Sequence, residues 1–254
     1  MGITRTRHQR LAPLLALCVA AASLASACAA APARARHLSS GCGAAPRIAL
    51  TFDDGPNPPH TGQILDLLTA AGAHATFFDE GQAVESNPRI VRDEIARGMA
   101  VGSHSYSHSQ DLPAMSHAAF ADDLRLAEDA FVAALGSKPV IYRSPYGHTS
   151  GVMLEEERKR GYISIGWDID SEDWSDASAD RIVSNVLDHA HSGAIVLMHD
   201  GGLGGGNPDR STTIAALPRI IDGLRQQGYT LVTVPEIAGI SATGDHAEAT
   251  CSAN

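Results

Sequence analysis

The sequence predicts an α/β fold in which parallel strands are joined by helical crossovers. From about residue 47 onwards, short apolar runs alternate with longer segments of helical periodicity, the order typical of strand–helix–strand units. Several helical segments are followed by a glycine, as helix C termini often are: Gly98, Gly136, Gly161 and Gly228. With 254 residues and 44% hydrophobic content, the chain is long enough to form one large core.

Strands and helices are predicted in alternation. The predicted strands are 47–52, 75–78, 100–103, 140–143, 162–167, 194–198 and 229–234. The predicted helices are 60–71, 88–97, 116–135, 151–160, 178–190 and 212–227. In the third of these helices, one face carries Phe120, Leu124, Ala127, Phe131 and Leu135, which indicates an amphipathic helix packed against the core.

The N-terminal segment predicts export. Three arginines within residues 5–10 precede a nearly uncharged run over 11–27 that ends in small residues, the pattern of a secretory signal peptide. This run is too short for a membrane span. We therefore expect a leader (1–35), a short segment (36–46), one main domain (47–240) and a C-terminal tail (241–254), with the protein secreted or associated with the cell wall. A lipid anchor at Cys28 is an alternative, although Leu24 lies one place too far upstream for a lipoprotein site.

The cysteines bear on the redox compartment of the protein, and its net charge bears on the class of partner that it binds. Cys18 leaves with the signal peptide, so Cys42 and Cys251 are expected to form one disulfide in an oxidising compartment. The alternative is two tails whose thiols never meet. A net charge of −10 argues against nucleic acid and anionic membrane surfaces as partners, whereas a neutral sugar polymer remains compatible.

Two motifs bring together the residues of a metal site. Residues 51–56 read TFDDGP and residues 104–108 read HSYSH, which supplies two adjacent carboxylates and two histidines. A catalytic zinc needs three protein ligands and an open position, so two histidines and one aspartate satisfy the count. Strand neighbours point to opposite sides, but Gly55–Pro56 predicts a turn, so one aspartate is interpreted as a ligand and the other as a base. Taken singly, the aspartates could cap a loop and the histidines could lie on an exposed helix face.

With three later motifs, the chain resembles the metal-dependent polysaccharide deacetylases, the family-four carbohydrate esterases. The five motifs occur in the family's order within residues 47–234: TFDDGP, HSYSH, then RSPYG (143–147), WDIDSEDW (167–174) and IVLMHD (195–200). The resemblance implies a distorted, incomplete (β/α) barrel of about seven parallel strands, with 47–240 as the catalytic domain. The motifs fall at or just beyond the ends of predicted strands, which places the active site at the C-terminal rim.

The resemblance also implies a role for each motif residue. The metal ligands would be Asp54, His104 and His108, and this set of nitrogen and oxygen donors suits zinc but also admits cobalt, nickel or manganese. Asp53 matches the general base and Arg143 its partner, while the backbone N–H of Tyr146 matches the oxyanion donor. His199 matches the general acid, Asp173 the carboxylate that holds it, and Trp167 and Leu197 the apolar pocket for the acetyl methyl.

Three further residues and one loop receive structural interpretations. Trp174 is expected to pack in the core and His148 to lie on a loop without a further role. Ser144 stands where the family often has proline, a change expected to matter little. The glycine-rich segment 201–207 lacks the lysine and hydroxyl of a phosphate-binding loop, so it is interpreted as a mobile loop beside the site.

The function expected from these motifs is hydrolysis of N-acetyl groups on N-acetylglucosamine polymers, either peptidoglycan or chitin oligomers. An acetylxylan esterase that uses the same site is the nearest alternative. A catalytically silent carbohydrate-binding protein would be expected to lack one of the ligands, the base or the acid, yet all of them are intact. A metalloprotease or metallophosphatase is disfavoured, because the chain has no His-Glu-x-x-His motif and no second cluster of carboxylates.

Overall fold

The computed structural model describes residues 1–2, 37–175, 177–202, 209–243 and 246–250. The chain divides into two compact units, Met1–Ala33 and Arg34–Asn254. All helices and strands given below belong to the second unit. The predicted signal peptide, the alternative lipid anchor at Cys28, most of the glycine-rich loop and Cys251 lie outside the described residues.

Parallel strands form one large sheet, and a short antiparallel pair follows it. The strands are β1 (His37–Leu38), β2 (Arg47–Gly55), β3 (Ala75–Asp79), β4 (Ala100–Ser103), β5 (Ile141–Tyr142), β6 (Ile163–Ile165), β7 (Ile169–Asp170), β8 (Ile195–His199), β9 (Thr230–Leu231), β10 (Ile240–Thr243) and β11 (His246–Ala249). In the large sheet the order is β1-β6-β5-β4-β3-β2-β8-β7, with β9 also paired to β2. Strands β10 and β11 form the antiparallel pair.

The helices cover the outside of this sheet. They are α1 (His60–Ala71), α2 (Gly81–Ser86), α3 (Pro88–Ala96), α4 (His117–Leu135), α5 (Gly151–Lys159), α6 (Ala179–Leu187), α7 (Ser211–Gln226) and α8 (Val234–Ala238), with short 3-10 helices at Leu112–Ala114 and Pro145–Gly147. All six predicted helices are present near their predicted bounds. Two short helices, α2 and α8, were not predicted.

The architecture is a parallel-strand half-barrel surrounded by helices, which confirms the predicted fold class. All seven predicted strands are present as β2 to β6, β8 and β9. The two-residue strands β1 and β7 extend the sheet, and in the described part of the chain they form its open edges. The barrel is therefore incomplete, and one side of its C-terminal rim stays open.

The alternation of side chains along β2 positions the site. Leu50 and Phe52 pack outward into the apolar layer formed with α1, α6 and α7. The alternate residues of β2 point to the inner side of the sheet, because successive strand residues face opposite ways. They are Ala49, Thr51 and Asp53. Two polar side chains therefore reach the barrel interior at the C-terminal half of its central strand.

The two ends of the domain meet beside α8. Cys42 is disulfide-bonded, and its backbone N–H donates to the carbonyl of Ile237 at 2.9 Å. The backbone N–H of Thr250, one residue before Cys251, donates to the carbonyl of Gly239 at 3.2 Å. Cys42 and the residue before Cys251 are thus both hydrogen-bonded at α8 or at the glycine that ends it. This arrangement is compatible with the predicted pairing.

We therefore expect peptide mass spectrometry without reduction to find Cys42 joined to Cys251. Replacing Cys42 with alanine is expected to lower the free energy of unfolding by about 2–5 kcal/mol, because the cross-link restricts a long loop in the unfolded chain. Denaturant unfolding of the variant and of reduced wild type would measure this change. Two freely alkylated thiols in protein exported from an oxidising host would contradict the pairing.

In the described ranges, no helix combines the length and the apolar character that a membrane crossing requires.

Candidate active site

Arg143 anchors the first aspartate of the TFDDGP motif. Its guanidinium is fully buried, and Nη1 donates to Asp53 Oδ1 at 2.7 Å and to Thr51 Oγ1 at 2.7 Å. Nη2 donates to the carbonyl of Gly166 at 2.9 Å. The guanidinium also lies over the ring of Phe78, with its carbon 4.1 Å from the ring centroid. The carboxylate of Asp53 is therefore held in one orientation by a paired charge.

The backbone brings the second aspartate to the same side as the first. The register of β2 against β3 shifts between Asp53 and Gly55, and Asp54 adopts a φ of 71°. This left-handed conformation is uncommon outside glycine, although Asp and Asn tolerate it better than most residues. The irregularity overrides the strand alternation, so both carboxylates face one pocket.

The histidines of the HSYSH motif lie on a tight loop after β4. Ser105 and His108 have φ values of 67° and 48°, and the His108 N–H donates to Ser105 Oγ at 2.9 Å. The carboxylate of Asp123 on α4 accepts hydrogen bonds from the N–H groups of Tyr106 and Ser107 at 2.9 and 3.2 Å. This loop is thus shaped by its own hydroxyl and by one buried acid.

The cluster of Asp54, His104 and His108 has the donor chemistry of a metal site. His104 Nδ1 lies 2.8 Å from the carbonyl oxygen of Arg143, which only accepts, so Nδ1 carries the hydrogen. In this tautomer the other ring nitrogen, Nε2, keeps its lone pair, and it lies 3.3 Å from Asp54 Oδ1. His108 Nε2 lies 3.1 Å from the same oxygen. Electron-pair donors this close are stabilised by a shared cation.

Two further observations support the fit of a cation. All three residues are buried and their ligand atoms lie within 4.8 Å of one another. Neither oxygen of Asp54 receives a hydrogen bond of normal geometry from the described residues, which would be costly for a buried carboxylate that had no other partner.

A second imidazole–carboxylate pair stands at the end of β8. His199 Nδ1 lies 2.7 Å from Asp173 Oδ1, and the His199 backbone N–H donates to Asp173 Oδ2 at 2.8 Å. Burial alone would lower the pKa of His199, but the charge and hydrogen bond of Asp173, with smaller contributions from the charges of Asp54 and Asp53, raise it to about 9. The imidazole is therefore protonated at neutral pH, and the ring nitrogen that does not face Asp173 remains for a ligand.

These groups surround one pocket of about 390 Å³. The predicted site residues that line it are Asp53, Asp54, His104, His108, Tyr146, Trp167, Leu197 and His199. Arg143 and Asp173 lie behind this wall, where each contacts a lining residue. The pocket combines a carboxylate held by arginine, an imidazole held by a carboxylate and an apolar wall, which is the composition of a hydrolytic site.

Two glycines let the ends of β2 and β8 cross closely. A Cβ on residue 201 would collide with the carbonyl oxygen of Asp54, and a Cβ on residue 55 would collide with the carboxylate of Asp200. The backbone N–H groups of Asp200 and Gly201 both donate to the carbonyl of Asp53. The segment that carries the two aspartates is therefore bound directly to the segment that follows His199.

Comparisons with known proteins agree with this geometry. A family model described as polysaccharide deacetylase matches residues 40–165. The chain is 37% identical over 197 residues to a peptidoglycan-N-acetylglucosamine deacetylase of Bacillus cereus, an alignment that covers 75% of this chain and 87% of that protein. The chain belongs to the polysaccharide deacetylase family. It is an enzyme of this kind.

Other relatives of the deacetylase point to the same family. A chitooligosaccharide deacetylase of Rhizobium leguminosarum bv. trifolii is 38% identical over 199 residues, which cover 74% of this chain and 90% of that protein. The crystal structure of the Bc1960 peptidoglycan N-acetylglucosamine deacetylase superposes with a TM-score of 0.74 at 32% identity, covering 80% of this chain and 92% of that one. The family and fold predicted from the motifs are confirmed.

The structure of the deacetylase adds residues that the motifs did not reveal. Thr213 on α7 donates to Asp173 Oδ2 at 2.8 Å. Arg210 is buried, lines the same pocket and donates from Nε to the carbonyl of Gly201 at 2.6 Å. Neither residue lies in a motif, and the only sequence signal is an arginine that follows the glycine-rich segment. The N-terminal end of α7 therefore supports Asp173 and, through it, His199.

The prediction for Trp174 was wrong. The residue is 59% exposed and lines the candidate pocket instead of packing in the core. The indole Nε1 lies 3.3 Å from a carboxylate oxygen of Asp170, which gives the polar end of the ring a partner at the surface. His148 is exposed, and its ring centroid lies 5.7 Å from that of Tyr146, in keeping with the predicted loop position.

Proposed function

We propose that the chain is a secreted, metal-dependent hydrolase that removes N-acetyl groups from N-acetylglucosamine-containing polysaccharide and releases acetate. Peptidoglycan and chitin oligomers are the proposed substrates, because relatives that cover most of the domain are named for them. The observation that carries the proposal is one pocket lined by Asp53, by the cluster around Asp54 and by His199. The charged N terminus followed by an apolar run supports export.

Asp54, His104 and His108 would hold the metal ion. Their nitrogen and oxygen donors suit zinc and also admit cobalt, nickel or manganese. When bound, such an ion acts as a Lewis acid that polarises the acetyl carbonyl and acidifies water. The hydrogen bond from His104 Nδ1 to the carbonyl of Arg143 fixes the tautomer that ligation by Nε2 requires.

Asp53 is proposed to accept the proton of the attacking water. Its Oδ1 is bonded to Arg143, while Oδ2 lies 3.8 Å from His104 Nε2, so the second oxygen is directed towards the proposed metal ligands. The guanidinium fixes the carboxylate and supplies its counter-charge. The N–H of Tyr146, whose backbone is shaped by Pro145 and a φ of 58°, is the proposed donor to the oxyanion.

His199 is proposed to donate a proton to the departing sugar amine. An amine leaves readily only when it is protonated, so the acid must carry its proton at the working pH. Asp173 contributes most to meeting this requirement, because its charge and hydrogen bond are the main causes that raise the pKa of His199 to about 9. Trp167 and Leu197 line the same pocket and would enclose the acetyl methyl group, which favours acetyl over longer acyl groups.

Replacing Asp173 with asparagine is expected to move the alkaline limb of the pH–activity profile to lower pH. Loss of the negative charge removes the group that holds the His199 pKa above its ordinary value, so burial lowers it. We expect acetate release at pH 8 to fall about tenfold relative to release at pH 6. Asp170→Asn is a matched control, because Asp170 lines the same pocket without contacting His199. An unchanged alkaline limb in Asp173→Asn would contradict this role.

The proposed function is tested by measuring acetate release side by side from peptidoglycan, chitin oligomers and acetylated xylan. Release from the first two substrates, with little from xylan, is expected. Faster release from xylan would favour the alternative, an acetylxylan esterase, which could use the same base and acid. Binding to all three polymers with no acetate release would favour a silent carbohydrate-binding protein.

A further inference from the structure

One acidic side chain interrupts the apolar face that α4 turns towards the core. Asp123 is buried on this face together with Phe120, Leu124 and Ala127. A buried carboxylate is costly unless hydrogen bonds or a counter-charge offset the loss of water. The packing of α4 alone therefore gives no reason for an aspartate at this position, and the reason lies in what its carboxylate contacts.

The partners of Asp123 are two backbone N–H groups in the histidine loop (104–108), between the proposed metal ligands His104 and His108. Oδ1 accepts from the N–H of Tyr106 at 2.9 Å, and Oδ2 accepts from the N–H of Ser107 at 3.2 Å. Hydrogen bonds to a charged acceptor are roughly twice as strong as those between neutral groups. This pair of bonds therefore holds the centre of the histidine loop against α4.

The opposite side of the histidine loop is docked on α2. The N–H of Gly81 donates to the carbonyl of Ser105 at 2.9 Å. A Cβ at position 81 would lie 2.7 Å from the ring of Tyr106 and 2.9 Å from the Cα of Ala127 on α4. The histidine loop is thus enclosed between α2 and α4, and its central peptide groups are fixed from both sides.

The histidine loop needs this support because two of its residues are left-handed. Ser105 and His108 have φ values of 67° and 48°, a conformation that costs free energy outside glycine and persists where the surrounding structure imposes it. The resulting bend brings the rings of His104 and His108 to 5.0 Å between centroids, with both Nε2 atoms beside Asp54 Oδ1. Relaxation of the loop would separate these donor atoms.

We propose that Asp123 is a positioning residue that sets the metal affinity of the site, by holding the histidine loop in the conformation that brings His104 and His108 together. This inference rests on the proposed function for the presence of the metal ion. Replacing a group that orients metal ligands typically lowers metal affinity by about 10–100-fold. In the described part of the chain the pocket lining does not include Asp123, so its effect is on metal affinity and not on the chemical steps.

The test compares zinc dissociation constants of the full-length wild-type protein and Asp123→Asn, measured by competition with a chromogenic chelator. Asparagine keeps the shape of the side chain but turns an NH2 group towards one of the two backbone donors, so zinc affinity is expected to fall by about tenfold or more. His104→Ala measures the zinc that binds elsewhere on the chain. At saturating zinc, acetate release by Asp123→Asn is expected to return towards the wild-type rate.

Asp122→Asn is the matched control, because Asp122 is the neighbouring residue on α4 but is exposed and pairs with Arg125. Asp123→Glu keeps the charge and lengthens the side chain by one methylene, so it should weaken zinc affinity less than Asp123→Asn does. Circular dichroism sets a temperature at which the variants are folded. A wild-type dissociation constant in either folded Asp123 variant, or an equal loss in Asp122→Asn, would overturn the proposal.

The same measurements separate Asp123 as a positioning residue from a merely structural one. A merely structural role would lower the unfolding temperature of the metal-free protein and leave the zinc dissociation constant unchanged, which would contradict the proposal. Acetate release by the wild-type protein is measured independently. Zinc binding without acetate release would contradict the proposed function, whereas the dissociation constants would still decide the role of Asp123.

Discussion

Replacing Asp53 with asparagine is expected to lower the turnover number for acetate release by about a hundredfold or more, the usual scale of general-base catalysis. Asparagine keeps the shape of the side chain and can still contact Arg143, but it cannot accept a proton. Bound metal, measured by atomic emission after dialysis, should stay at the wild-type level. The loss should therefore appear in turnover and not in metal content.

Asp54→Asn is the matched comparison, since the two residues are chemically identical neighbours. Asparagine tolerates the φ of 71° at this position, so the backbone of the turn should be preserved. We expect metal affinity to fall and activity to recover partly at high metal concentration. The reverse pattern, with metal lost in Asp53→Asn and retained in Asp54→Asn, would overturn the assignment of the two aspartates.

Removing the metal is expected to abolish acetate release. Chelation should inactivate the wild-type protein, and added zinc or cobalt should restore it, because Asp54, His104 and His108 supply the only proposed protein ligands. His104→Ala should lose bound metal and remain inactive after metal is added. The side chain also bonds the carbonyl of Arg143, so circular dichroism should be used to confirm that the variant folds.

His117→Ala is a suitable control for the metal prediction. His117 is half-exposed and pairs with Glu156 in a separate cluster that includes Glu155, where Lys159 already neutralises both acids. This variant should keep its metal and its activity. Full activity in a metal-free preparation of the wild-type protein would refute metal dependence outright.

The fold was predictable wherever the chain carries a long periodic signal. Helix α1 begins and ends at the predicted residues, α4 begins one residue later than predicted, and α7 is shifted by one residue at each end. Strands β1 and β7 were missed because neither lies in an apolar run: β1 falls in a polar N-terminal segment and β7 is followed by acidic residues, whereas the equally short β5 and β9 lie within apolar runs. Helix α2 was missed because it is short and stops just before Pro88.

The site was predictable as a set of chemical groups but not as a geometry. The motifs named Asp53 and Asp54, yet their shared orientation depends on a shift of strand register and on one left-handed residue. Thr213 contacts Asp173 across 40 residues of sequence, a pairing that no local pattern encodes. Trp174 was misplaced because large aromatic residues are usually buried, whereas here its indole N–H is paired with Asp170 at the pocket edge.

The crossing of Gly55 and Gly201 has a consequence for engineering the substrate range of this enzyme. The two backbones are in contact there, so the barrel itself fixes the distance between the proposed proton acceptor Asp53 and the proposed proton donor His199. Changes in the loops that contact substrate would leave this distance unaltered. Loop grafts intended to admit other glycans should therefore begin after Gly202 and leave the crossing intact. A graft that places any side chain at position 201 would push against the Asp54 carbonyl, and it would damage metal affinity before it altered specificity.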